Sequence, residues 1–238
     1  MTNTKLYTAV GKFKMKGNKN GIRCPLVTIG GSEYILDMQE MILWTILNWR
    51  ILTEAEIVIL YEKKSQETGF LSHRSAEECI HRLIQRGLIA EGIGDTGEDA
   101  LYDLLSGLYV IPISENIFLR VISFIRLTVF AGVPYSVTKK IFRRDRRSDE
   151  EKKVMRLANQ AVLSTAEIIK CIDQDALHFA TDEELLDILY HDEYTTSENI
   201  AYAVRFLPQC RPVITSVANL YLRKQIIFEA PYGHTSMP

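Results

Sequence analysis

Between positions 72 and 85 the chain gathers Ser72, His73, Arg74, Ser75, His81, Arg82 and Gln85, side chains suited to hydrogen bonding with nucleic acid. Arginine offers paired donors that match guanine, glutamine a donor and an acceptor that match adenine, and serine hydroxyls suit phosphate oxygens. His73, Cys79 and His81 also invite a metal reading. Cys79, however, falls on the apolar face of its helix and His81 on the outer face, so their ligand atoms diverge and no metal is expected. Catalytic signatures are missing: there is no glycine-rich phosphate loop, no G-x-S-x-G elbow and no H-E-x-x-H. The acidic stretch 182–193 is accounted for by carboxylates at the positive end of a helix. A protein that is not an enzyme and carries no cofactor is the expectation.

The element that must position these groups is a helix over residues 75–86. Ala76, Cys79, Ile80, Leu83 and Ile84 recur at helical spacing, which puts Glu77, Glu78, His81, Arg82 and Gln85 on the opposite face. Ser75 and Glu78 form an S-x-x-E capping box, and Arg86-Gly87 supplies a cation and a permissive residue for the other end. Preceded by a second amphipathic helix over 53–65, this is the shape of a helix-turn-helix. Glu77 and Glu78 oppose phosphate, so use of the same surface to dock protein stays open beside DNA.

The run Arg82-Leu-Ile-Gln-Arg-Gly-Leu-Ile89, with its L-x-x-x-G-L-I core, resembles the recognition-helix end and first wing strand of MarR-like winged-helix regulators. The resemblance spans residues 37–112. It implies helices at 37–49, 53–65 and 75–86, a wing tip at 92–97, and a recognition helix that enters the major groove. After the wing the pattern departs: residues 98–106 have helical periodicity and a strand-like run comes only at 108–113, so the wing is either short or replaced.

With 238 residues, 47% hydrophobic and 24% charged, the composition is globular, and disordered and fibrous classes are excluded. Scattered Cys24, Cys79, Cys171 and Cys210, with no C-x-x-C pair, fit reduced thiols in the cytoplasm. The N-terminus lacks an apolar signal core. The apolar run 117–133 carries Arg120 and Arg126 near its middle, which argues for a buried helix and against a membrane span. Net charge is only −2, but it is unevenly spread. Residues 1–32 hold Lys5, Lys12, Lys14, Lys16, Lys19 and Arg23 with no acid, 139–156 are rich in Lys and Arg, and 173–198 are acidic. The alternating run with Lys12, Lys14 and Lys16, followed by a turn cluster, reads as one arm of a β-hairpin; these lysines either contact DNA phosphates or guard an exposed strand edge.

Beyond position 36 helix-start pairs recur: Asp37/Glu40, Thr53/Glu56, Ser75/Glu78, Ser148/Glu151, Thr181/Glu184 and Thr195/Glu198. Ser164/Glu167 fits the template but falls inside a periodic run over 148–173, where it reads as a chance match within one long helix. Further helices are expected at 117–131, 135–144, 181–190, 196–207 and 212–228. No internal repeat of fixed period is visible. The expected fold is mainly α: a winged helix-turn-helix with a small N-terminal β-hairpin over residues 1–113, then an all-helical dimerisation or sensing domain over 114–238. The expected function is transcription regulation by a homodimer on double-stranded DNA, with a small-molecule or protein effector on the helical domain. The alternatives are an interaction scaffold without DNA and a plasmid or phage replication-initiation protein.

Overall fold

The computed structural model describes residues 3–17, 23–67, 74–113, 147–192 and 194–230. The first half runs β1 (Thr4–Ala9), β2 (Lys12–Gly17), β3 (Arg23–Ile29), β4 (Ser32–Ile35), α1 (Met38–Leu47), α2 (Glu54–Glu67), α3 (Ala76–Gln85), β5 (Ile89–Gly94), α4 (Gly97–Ser106) and β6 (Tyr109–Pro112). After residue 147 come α5 (Asp149–Gln160), β7 (Leu163–Ser164), α6 (Thr165–Asp173), α7 (Asp182–Tyr190), α8 (Ile200–Val204), α9 (Cys210–Leu222) and β8 (Ile226–Glu229). Among the described residues the strands form three small antiparallel sheets, ordered β1-β5, β2-β3-β4 and β7-β6-β8.

This corrects the mainly α, winged-helix expectation at three points. The N-terminal hairpin is a three-stranded meander, with Lys12 opposite Thr28 and Leu26 opposite Ile35. The second half is not all-helical, because β6 is sandwiched between β7 and β8. The segment after α3 makes no wing: β5 pairs with the remote β1, Tyr7 facing Glu91, and the chain passes directly into α4. Gly92 and Gly94, within the expected wing tip, serve close packing instead. A Cβ on Gly92 would lie 2.4 Å from Ala100 O and Leu104 N, and one on Gly94 would lie 2.3 Å from Ala100 N. Bare backbone on β5 is what lets α4 lie against the strand.

The run 148–173 also divides. A helix starting at Ser148 ends at Ala161, whose backbone is extended, and Ser164 then opens α6 with a genuine capping box: Glu167 N–H donates to Ser164 Oγ at 3.2 Å and Ser164 N–H to Glu167 Oε2 at 2.6 Å. Ser164/Glu167 is therefore a helix start and not a chance match. Ser164→Ala is expected to cost about 1 kcal/mol in chemical denaturation; an unchanged midpoint would mean that Ser164 caps nothing. The region expected as one helix over 212–228 likewise ends at Leu222 and turns into β8. The helices expected within 117–131 and 135–144 lie outside the described residues.

Comparing the two halves reveals one arrangement used twice. In the first, β1 is central: Tyr7 is bridged to Leu52 on one side and paired with Glu91 of β5 on the other. In the second, β6 is central: Val110 pairs with Leu163 of β7 and with Phe228 of β8. Asp37, Glu40, Leu52, Thr53 and Glu56 are matched by Ser148, Glu151, Leu163, Ser164 and Glu167, each 111 positions later (148 against 37). The last helix of each set, α3 or α9, ends in Arg-x with the second residue at positive φ, 67° at Gly87 and 60° at Lys224, before the closing strand. Here the offset is 137 (224 against 87), because α7 and α8 are inserted between α6 and α9. The shifting offset hides this likeness from any fixed-period search.

Each half has its own core. One is built from α1, α2 and α3 with Tyr7, Ala9, Val27 and Leu36; the other joins α4 and β6 to α5, α6, α9 and β8. They meet at Tyr221, whose hydroxyl accepts Trp49 N–H at 3.0 Å and faces Leu47 O at 3.3 Å. Trp49 Nε1 in turn donates to Ile226 O at 3.3 Å.

Candidate functional site

α3 forms as its sequence dictates. Ser75 Oγ accepts Glu78 N–H at 3.2 Å, Ser75 N–H donates to Glu78 Oε2 at 3.3 Å, and Ala76, Cys79, Ile80 and Leu83 are buried. Its far side, Glu77, Glu78, His81, Arg82 and Gln85, is exposed. Tertiary contacts, however, redirect both arginines proposed for DNA. Arg74 pairs with Asp37. Arg82 Nε lies 3.2 Å from Glu40 Oε1, and Arg86 Nη1 lies 2.6 Å from Glu40 Oε2. Ser75 is spent on its own helix cap. Among the described residues of the 72–85 set, His81 and Gln85 keep exposed side chains with no such commitment, while Ser72 and His73 lie outside the described residues.

The hub is Glu40. Its side chain is 2% exposed, yet it closes the α1 capping box by accepting Asp37 N–H at 3.1 Å and holds two guanidiniums from α3. A buried carboxylate survives only when its lone pairs are satisfied in this way. Asp37 beside it loses something to burial, but Glu40 N–H and the Arg74 guanidinium outweigh that and hold its carboxyl below the ordinary value. Together these bonds clamp α3 onto the start of α1. Glu151 repeats the device in the second half, 3% exposed, taking Arg223 Nη1 at 3.1 Å and Ser148 N–H at 2.9 Å.

The three lysines lie on β2, an outer strand of the meander, and all are exposed. Phe13 between them turns inward to stack on Trp44 at 5.8 Å between ring centroids. Lys16 pairs with Glu33 across the sheet. The structure does not join these lysines to the outer face of α3 as one continuous set.

What the sequence reading did not single out is the opposite edge, β4. Leu36 N–H donates to Pro25 O at 3.0 Å, so the alternation of an antiparallel ladder turns the backbone groups of Glu33 and Ile35 to the side away from β3. Among the described residues no strand pairs there. Arg86 Nη2 reaches Ile35 O at 2.6 Å from that side, which brings the C-terminal end of α3 beside the strand. Ile35 is 66% exposed and Met38, at the start of α1, 47%. An open backbone edge with apolar side chains and a flanking helix can take up an extended segment of another chain.

No family model, curated protein or solved structure matches this chain. Among the described residues no group of His, Cys, Asp and Glu could hold a metal ion, and no helix is long and apolar enough to cross a membrane; the apolar run 117–133 lies outside them.

Proposed function

We propose that the chain is a protein-interaction module, an adaptor that takes an extended segment of a partner along the open edge of β4 beside α3. One observation carries the reading: the two edges of the same sheet are treated differently. β2 bears Lys12, Lys14 and Lys16, the usual guard against strand addition, whereas β4 carries exposed Ile35 and, among the described residues, no strand on its outer side, where only Ile35 O is taken, by Arg86. The commitment of Arg74, Arg82 and Arg86 to α1 and to Ile35 O, together with outward Glu77 and Glu78, favours a protein partner over DNA. The proposal sets the protein in the cytoplasm, in keeping with four free cysteines. A second reading, contact with duplex DNA, is favoured by Lys12 and Lys14, exposed side chains with no carboxylate partner among the described residues.

Selection of random linear peptides against the full chain tests the first reading. Enriched peptides with alternating apolar residues are expected, protecting the Glu33 and Ile35 amides from hydrogen exchange. Ile35→Lys, a change at an exposed site, should weaken them at least tenfold while leaving the melting temperature alone. The reading fails if no peptides are enriched and a random duplex instead binds with steep salt dependence that is lost when the three lysines are replaced.

A further inference from the structure

A separate cleft opens where the N-terminal turns of α4 and α9 approach the end of α8, with a volume of about 280 Å³. We propose that it binds a neutral aromatic small molecule of two or three rings. Its residues are not those of the β4 edge, so the proposal stands apart from the interaction reading.

The size approaches that of small-ligand sites, roughly 300 Å³ upward, and the cleft combines apolar walls with a charged rim. Leu101, Tyr102 and Ile214 supply the walls. Tyr102 is fixed by donating its hydroxyl hydrogen to Ala201 O. Phe206, at the mouth, is 80% exposed, a ring that gains by closing over an apolar guest.

The rim decides the charge of the ligand. Arg205 Nη2 lies 2.9 Å from Asp99 Oδ1, and Arg211 pairs with Glu98. Two cations and two anions therefore neutralise one another, so the rim offers no uncompensated charge to recruit an ionic ligand. A neutral ring leaves both pairs intact. Arg205 already lies 5.4 Å over the Tyr102 ring centroid, a cation–aromatic contact that holds both side chains at the cleft. Asp99 is held below its ordinary carboxylate range by the Thr96 hydroxyl first and by Arg205 next.

Titration of the full chain with N-phenyl-1-naphthylamine, followed by fluorescence, tests this. Saturable binding of one probe per chain is expected. Thr215→Phe, at an exposed lining position on α9, should weaken it at least tenfold with an unchanged circular dichroism spectrum; Leu101→Phe serves if that variant does not fold. The sulfonated analogue 1-anilinonaphthalene-8-sulfonate should bind at least tenfold more weakly. Absence of saturation, indifference to the filling variants, or equal binding of the sulfonate would overturn the proposal.

Discussion

Gly92→Ala is expected to lower the stability of this protein by about 3 kcal/mol or more, the upper end of what overpacking a close-fitting contact costs. The added methyl would meet Ala100 O, Leu104 N and Leu104 Cβ at 2.4–2.5 Å. Two of these are backbone atoms, so no rotamer change relieves the clash and α4 must lift from β5. Because α4 belongs to the second core while β5 pairs with β1, the damage reaches both halves. A fall in melting temperature of roughly 10 °C follows for a chain of this size. Gly97→Ala is the control: nothing lies within 4 Å of a Cβ there, and that variant should melt within about 2 °C of the parent. Equal melting of the two variants would mean that α4 does not rest on β5.

Glu40→Ala is expected to cost about 2–3 kcal/mol, less than the ~3–5 kcal/mol typical of stripping one partner from a fully buried pair. The discount arises because Arg82 and Arg86 keep contact with water, their side chains being 48% and 30% exposed. What is lost is the clamp between α1 and α3, together with the backbone cap on Asp37 N–H. Glu151→Ala should behave alike, since Arg223 and Ser148 play the same parts in the second half. A double-mutant cycle of Glu40→Ala with Arg86→Ala separates the clamp from simple loss of packing. Coupling of at least about 1 kcal/mol is expected, and additive effects would refute the clamp. Glu40→Gln, which keeps an acceptor but no charge, should fall between the parent and Glu40→Ala.

If Glu40 acts in this way, the arginines of α3 are structural before they are functional. That is why a basic side chain on an outward helix face is a poor predictor of nucleic-acid contact. Arg82 and Arg86 follow the 3–4 spacing that aims them away from their own helix core, but the space they enter is filled by α1. The sequence shows Asp37 and Glu40 as a helix start and shows Arg82 as an outward cation. It does not show that a carboxylate used for capping has a second oxygen free for a distant helix. Ile35 was invisible for a related reason: it sits at the end of a short strand, and nothing local records which side of that strand acquires a neighbour.

The likeness of the two halves makes the same point at larger scale. Residues 37–56 and 148–167 share their punctuation, yet the chain between α6 and α9 is longer than that between α2 and α3, so the offset changes and the likeness appears only when β1 and β6 are seen in equivalent central positions.

From its sequence alone, the chain determines where most described helices begin and which face of α3 is buried, because capping and amphipathic spacing involve groups three or four residues apart whose contacts form within one or two turns. The partners of β5 and β8, the close seat of α4 on Gly92 and Gly94, and the capture of the α3 arginines by Glu40 were settled by the tertiary structure. Each of these joins residues tens of positions apart, so it depends on which surfaces the whole chain brings together and leaves no mark in the local pattern.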